Sequence, residues 1–259
     1  MVTNEIIDGG IRHSSITSHA IGVGELTALL KAIDREAPST AYRSAVVDDN
    51  VLGLATASGR SWRFQTLRRL YILRPDSVLF RALRDLWGDA PEAQPLLAGL
   101  CALATDTVFR ATAQQITSTT TGELVAAADF AEAVEASFPA VYATSTMSTI
   151  TAKAYASWQQ TGHLGRASKG VKRRIRASCE PAAVAYALML GFLQGIRGKL
   201  LFETLWAKVL DRPTSHLLNV ASDASQRGLL ELRQAGGVVD VSFNALLRPL
   251  HGDGQGGPL

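Results

Sequence analysis

Cysteine is scarce in this chain. Its two cysteines, Cys101 and Cys179, stand 78 positions apart without a C-x-x-C spacing and without a histidine nearby. Small domains held together by disulfides, and structural zinc sites, need closely spaced cysteine or histidine ligands. The sequence therefore excludes a disulfide framework and a zinc site, and it favours a reducing compartment.

A signal peptide and a membrane-spanning run are also missing. The first ten residues carry Glu5 and Asp8 and lack a basic segment followed by an apolar one, so we predict a cytoplasmic protein. The longest apolar run covers residues 181–196 and falls short of the ~20 residues that span a bilayer. We predict that this run forms a buried core helix with no contact to a membrane.

Recognisable catalytic motifs are absent. The sequence has no hydrolase elbow, no H-E-x-x-H and no dinucleotide fingerprint, and the glycines of 191–199 do not have phosphate-loop spacing. Its five histidines (His13, His19, His163, His216, His251) are scattered, and each is more typical of a surface or capping residue. We predict a protein that is not an enzyme and needs no cofactor or metal, and an enzyme of unrecognised type is the weakest alternative.

Charge is abundant but uneven, although the net charge is only +3. Residues 60–84 hold seven arginines and one acid, and residues 166–176 hold six basic residues and no acid. These 36 positions carry a local charge of +12, against −9 for the rest. Arginine outnumbers lysine 20 to 6, and its guanidinium matches phosphate oxygens. A phosphate-bearing partner explains this pattern; the alternative is arginine placed on solvated helix faces.

Helical periodicity dominates the chain and predicts a mainly α fold. We expect four parts: an N-terminal segment (1–19), a helical domain (20–142), a winged-helix-like domain with two short strands (143–250) and a disordered tail (251–259). Apolar stripes predict these helices: 26–33, 41–49, 64–74, 76–87, 95–116, 123–137, 148–160, one after Pro181, one through 201–209, and one or two within 215–235. Alternating residues predict strands at 171–178 and 238–243.

A helix followed by a basic β-hairpin is the order of a winged helix-turn-helix, in which one helix reads the major groove and the wing covers phosphates. Helix 148–160 would supply polar contacts from Thr149, Thr151, Lys153 and Gln160. Strand alternation would place Lys172, Arg174 and Arg176 on one face, opposite Val171, Arg173, Ile175 and Ala177. Alternatively, the helix packs within an all-α bundle and the wing binds an acidic protein.

Several short motifs resemble the BrxA family of bacteriophage-exclusion (BREX) defence proteins, over residues 20–165. The motifs are Asp49-Asn50-Val51-Leu52, Ser58-x-Arg60-Ser61-x-Arg63, Leu67-Arg68-Arg69-Leu70, Asp106-Thr107-Val108-Phe109, Asp129-Phe130 and Trp158-x-x-x-Gly162-x-Leu164. The resemblance implies a NusB-like helical bundle, DNA binding, and a role in phage defence beside a methyltransferase and an ATPase. It carries over no catalytic residue, and it matches four arginines to the family's basic helix: Arg60, Arg63, Arg68 and Arg69.

We therefore predict a nucleic-acid-binding component of a phage-defence system that binds DNA rather than RNA, mainly through phosphates. The alternative is a scaffold whose basic faces dock a larger defence enzyme. The predicted contacts are Arg60, Arg63, Arg68, Arg69, Lys153, Lys169, Lys172, Arg173, Arg174 and Arg176, of which the residues from Lys169 onward rest on the sequence pattern alone.

Overall fold

Helices make up most of the chain in the computed structural model, which describes residues 14–168 and 171–248. This confirms the mainly α prediction. Three short 3-10 turns, Ser15–Thr17, Pro91–Ala93 and Gly198–Glu203, link some of the helices. In the described ranges the α-helices are α1 (Val23–Ala32), α2 (Ser39–Val47), α3 (Ala57–Tyr71), α4 (Val78–Leu86), α5 (Gln94–Thr105), α6 (Thr107–Ala111), α7 (Ala113–Ser118), α8 (Asp129–Ser137), α9 (Thr144–Gln160), α10 (Pro181–Leu193), α11 (Leu205–Val209) and α12 (Thr214–Gln226).

Two small antiparallel sheets accompany the helices. One has the strand order β1 (Leu124–Val125), β3 (Val171–Arg174), β2 (Leu164–Ser168), and the other pairs β4 (Glu231–Ala235) with β5 (Val238–Ser242). In the first sheet Leu124 lies opposite Arg173, and Arg166 lies opposite Lys172. The short β1 thus joins the middle of the chain to the basic segment.

The hydrophobic core is centred on α10. Every residue from Pro181 to Gly191 is buried, and the helix packs against α4, α5, α11 and α12. The apolar run at 181–196 therefore supplies a buried core helix, as predicted. Residues on both sides of the predicted boundary at 142/143 contribute to one hydrophobic cluster, and the division into two domains stays a prediction.

The segment predicted as one helix over 95–116 is three helices, because Asp106 ends α5 and caps α6. Its buried carboxylate accepts hydrogen bonds from the Phe109 amide (3.0 Å), the Ser15 amide (2.8 Å) and the Ser14 hydroxyl (2.7 Å). An N-cap carboxylate satisfies amides that a helix start leaves free. The chain therefore ends one helix and begins the next at Asp106, although the apolar periodicity continues through this position.

Other predicted elements differ from the structure where strands pair. Residues 124–125 form β1, so the predicted helix 123–137 begins only at Asp129. The predicted strand 171–178 ends at Arg174. Gly236 and Gly237, expected to end a helix, have φ of 57° and 83° and form the turn between β4 and β5, since a tight hairpin turn requires positive φ at both central residues.

In the described part of the chain, no single helix is both long and apolar enough to span a membrane. The consecutive segments Pro91–Thr105 and Thr107–Ser118 reach that length and composition only when taken together, and they meet at 108°.

Candidate nucleic-acid interface

Helix α3 presents a polar and basic outer face. The helix begins after Thr56, whose side chain accepts from the Gly59 amide at 3.1 Å, and its inner face buries Phe64, Leu67, Leu70 and Tyr71. Trp62, Gln65 and Arg69 follow the i, i+3, i+7 spacing of one helix face, and Arg68 lies beside them. All four side chains are exposed, Trp62 to 51%.

Arg68 and Arg69 carry uncompensated charge. Within residues 14–168 and 171–248, no carboxylate lies within 4 Å of either guanidinium. The helix itself contains no acidic residue. Both guanidinium groups are therefore available for an anionic partner.

Arg63 faces the opposite way, which corrects its prediction as a nucleic-acid contact. It is 6% exposed, and its guanidinium forms a two-point ion pair with Glu25, with Nε donating to Oε1 at 2.7 Å. Gly22, with a φ of 69°, lies so close that a Cβ there would collide with the Arg63 guanidinium. Arg63 therefore fastens α1 to α3.

Arginines further along the first cluster are also structural. Arg84 donates to the backbone carbonyls of Leu30 (2.7 Å) and Ile33, and so satisfies the C-terminal end of α1. Arg81 donates to the Arg248 carbonyl at 2.9 Å. The charge of residues 60–84 thus divides between the interior and one exposed face.

Three elements meet at Trp62. Its ring makes an edge contact with His19, with 4.1 Å between ring centroids. Burial lowers the pKa of His19, and the positive charges of Arg63 and of the α9 residue Lys153 lower it further. Arg60, two residues before Trp62 in α3, is half-buried, as is Lys153.

Two residues of α9 that were predicted to contact nucleic acid make hydrogen bonds within the fold instead. Thr151 is buried and donates to the Ser148 carbonyl at 2.9 Å. The side-chain oxygen of Gln160 accepts from the amides of Gly22 (2.9 Å) and Val23 (3.1 Å), at the start of α1. The expectation that Thr151 and the Gln160 oxygen contact nucleic acid is therefore corrected, while Thr149 and Lys153 border the exposed face.

Arg174 also faces the interior, which corrects its prediction as a nucleic-acid contact. It is 2% exposed, its Nε donates to the Ile116 carbonyl at 3.0 Å, and its Nη2 lies 3.0 Å from Oδ2 of Asp211. Burial lowers the pKa of its guanidinium, and Asp211 opposes this effect. Ile175, predicted on the opposite face of the strand, is 39% exposed. The strand turns its charged face inward because α7 and the end of α11 supply carbonyl and carboxylate acceptors.

The remaining basic residues of β3 and its continuation are accessible to different degrees. Lys172 is half-buried, with Nζ 2.9 Å from the Tyr155 carbonyl and 3.8 Å from the centroid of the Tyr155 ring. Arg173 is exposed and donates to the Gly122 carbonyl, and Arg176 is exposed. Lys169 lies outside the described residues.

The two basic regions border the same helix. The positive charge of Lys153 acts on His19, whereas Lys172 packs on Tyr155, which lies about 200° around the axis of α9 from Lys153. The exposed strip between these two edges consists of small or uncharged residues, namely Ser145, Ser148, Ala152 and Gln159. An α-helix with its side chains is ~10 Å wide, so positive charge flanks an uncharged strip of about that width.

Sequence reasoning missed the Trp62–His19 pair as part of this surface, and left the exposed Arg166 of β2 out of the contact set. The i, i+3, i+7 spacing of Trp62 with Gln65 and Arg69 was the available signal. In the described residues, no group of three or more histidine, cysteine or acidic side chains could hold a metal ion. Comparison with known protein families, curated proteins and solved structures found no match.

Proposed function

We propose that this chain is a non-enzymatic nucleic-acid-binding protein that contacts DNA through the outer face of α3. The observation that carries the proposal is the exposed row of Arg68, Arg69 and Gln65 beside the half-exposed indole of Trp62. Guanidinium groups without a carboxylate partner suit phosphate oxygens, and an exposed aromatic ring can stack on a base.

The flank of α9 extends this surface. Lys153 on one side and Lys172 on the other would contact phosphates across the uncharged strip of α9. Phosphate contacts fix the position of a protein on a duplex, whereas base contacts give sequence preference. Because the charged residues dominate here, we expect affinity to depend strongly on salt and weakly on sequence.

The same proposal includes the winged-helix and NusB-like assignments of the fold. The order α9, β2, β3 is compatible with a recognition helix followed by a wing, and we propose the helical N-terminal part as the NusB-like bundle that the resemblance implies. The assignment to phage defence rests on the resemblance to the BrxA family alone, and it needs a test in cells that carry the neighbouring defence genes.

The decisive experiment is a salt titration of duplex DNA binding, followed by fluorescence anisotropy, on the wild type and on the double variant Arg68→Ala/Arg69→Ala. Each phosphate contact contributes about 0.9 to the slope of log affinity against log salt. We expect the double variant to reduce the slope by about 2 and to weaken binding to unrelated sequences equally. Its free energy of unfolding should change by less than about 0.5 kcal/mol per substitution, because both side chains are exposed.

The matched control is Lys199→Ala/Arg233→Ala, which removes the same charge from exposed positions on a 3-10 turn and on β4. This variant should bind like the wild type. A flat salt dependence, or equal losses in both double variants, would reject α3 as the binding face. Capture of a protein partner in the absence of any DNA binding would support the scaffold alternative instead.

A further inference from the structure

A second basic site lies next to the ion pair between Arg174 and Asp211. A cavity of about 550 Å³ opens between the end of α7, the residues after β3, and the connection from α11 to α12. Sites for small molecules typically have ~300–1,000 Å³, so this cavity is large enough for a small ligand. The polar and charged residues that line it are Thr117, Ser118, Arg176, Lys208, Asp211 and Arg212.

The cavity carries an excess of positive charge. Asp211 is the one carboxylate among the described lining residues, and its Oδ2 already lies 3.0 Å from the buried guanidinium of Arg174. Arg176 and Lys208 are exposed, and no described carboxylate lies within 4 Å of either. Three cations therefore face the cavity, whereas the charge of its one described carboxylate, Asp211, is balanced by the buried guanidinium of Arg174.

One of these cations is held in place. Arg212 donates from Nη1 to the Asp211 carbonyl and from Nη2 to the Ala177 carbonyl, both at 2.9 Å. A guanidinium fixed in this way loses little freedom when an anion binds. The charges also act on their surroundings, because Arg176 and Arg212 add to the effect of burial in lowering the pKa of Arg174. A bound anion would remove this repulsion.

We propose that the cavity formed by Arg176, Lys208 and Arg212 binds a phosphate group. The free guanidinium of Arg176, the ammonium of Lys208 and the fixed positive charge of Arg212 suit a tetrahedral anion with several oxygen atoms, and the hydroxyls of Thr117 and Ser118 add polar groups at the rim. The phosphate can come from a free compound such as a diphosphate or from a nucleic-acid backbone. The site does not depend on the α3 face, so it stands apart from the function proposed above.

The first test is calorimetric titration of the full chain with inorganic pyrophosphate at constant ionic strength. We compare the wild type with Arg176→Ala/Lys208→Ala, which changes two exposed side chains, and with the control Lys199→Ala/Arg233→Ala. Since each substitution removes a charge-assisted contact, we expect the affinity of the first variant to fall by roughly tenfold or more. The control should match the wild type.

The second test separates the two sources of phosphate by measuring duplex DNA binding of the same proteins. Loss of pyrophosphate binding alone identifies a free phosphate compound, and loss of DNA affinity in the cavity variant alone identifies a backbone phosphate. Unchanged binding of both probes, or equal losses in the control, overturns the proposal. Arg68→Ala/Arg69→Ala should keep its pyrophosphate affinity, so failure of the α3 interface and failure of this cavity give different results.

Discussion

Helix α3 and the β2–β3 pair are both rich in basic residues, yet they divide their charge differently. Each turns one arginine inward to an acid distant in sequence, Arg63 to Glu25 and Arg174 to Asp211. On α3 the helical period leaves Arg68 and Arg69 together on an open face. On β3 the period of two puts Lys172 on the same side as Arg174, so part of the charge is absorbed by the fold. A basic run in the sequence therefore contains both arginines that form ion pairs within the fold and basic residues whose charge stays exposed.

The two inward arginines differ in how completely water is excluded. The side chain of Arg174 is 2% exposed and that of Arg63 is 7% exposed, while their partners Asp211 and Glu25 are 25% and 37% exposed. Removal of one partner from a buried pair leaves the other charge poorly solvated. The hairpin region should therefore depend more on its ion pair than α3 does.

The largest effect is expected for Arg174→Ala, which should lower the free energy of unfolding by about 3–5 kcal/mol. The substitution removes the ion-pair partner of Asp211 and the donor to the Ile116 carbonyl. Urea unfolding followed by circular dichroism measures the change. The adjacent exposed Arg173→Ala is the control, and a loss in that variant as large as in Arg174→Ala would contradict the assignment.

A smaller loss, about 1–3 kcal/mol, is expected for Arg63→Ala, because water can reach the Glu25 carboxylate that it leaves behind. A double-mutant cycle with Glu25→Ala measures the coupling between the two side chains. A coupling near zero would contradict the structural role that we give this pair, and a loss above that of Arg174→Ala would remove the difference that we draw between the two regions.

The smallest effect concerns pH and arises at His163 in the hairpin region. Burial lowers the pKa of His163 to about 3, and Arg174 and Arg212 contribute to this lowering. Because the folded value lies below the ordinary 6.5, the contribution of neutral His163 is complete above pH 6.5 and is lost as the pH falls toward 3. The slope is on the order of 1 kcal/mol per pH unit below pH 6.

Unfolding of the wild type and of His163→Gln at pH 7, 6 and 5 measures this effect. The glutamine variant cannot take up the proton, so the stability difference between the two proteins should shrink as the pH falls. A constant difference over that range would show that His163 does not become charged on unfolding.

The sequence pattern predicted most helices and the apolar α10, because a long stripe of buried residues has a strong period. It could not predict the break at Asp106, where hydrogen bonds from Ser14 and Ser15 decide the conformation. It was also wrong about Arg174 of β3, which is buried. The sequence pattern does not show that this arginine pairs with a carboxylate distant in sequence, Asp211. The sequence pattern identified the arginines of α3. It could not show that Arg63 is buried and Arg68 is exposed, because this difference depends on the position of Glu25.

The carboxylate of Asp106 has a further consequence for how the chain is made. Its hydroxyl donor, Ser14, precedes it by 92 residues, so during synthesis the early segment emerges long before the group that anchors it. Closing a loop of that length costs conformational entropy before any contact compensates for it. We expect the contact between Ser14 and Asp106 to form late in folding, whereas the cap of Asp106 on the Phe109 amide is local and does not wait for it.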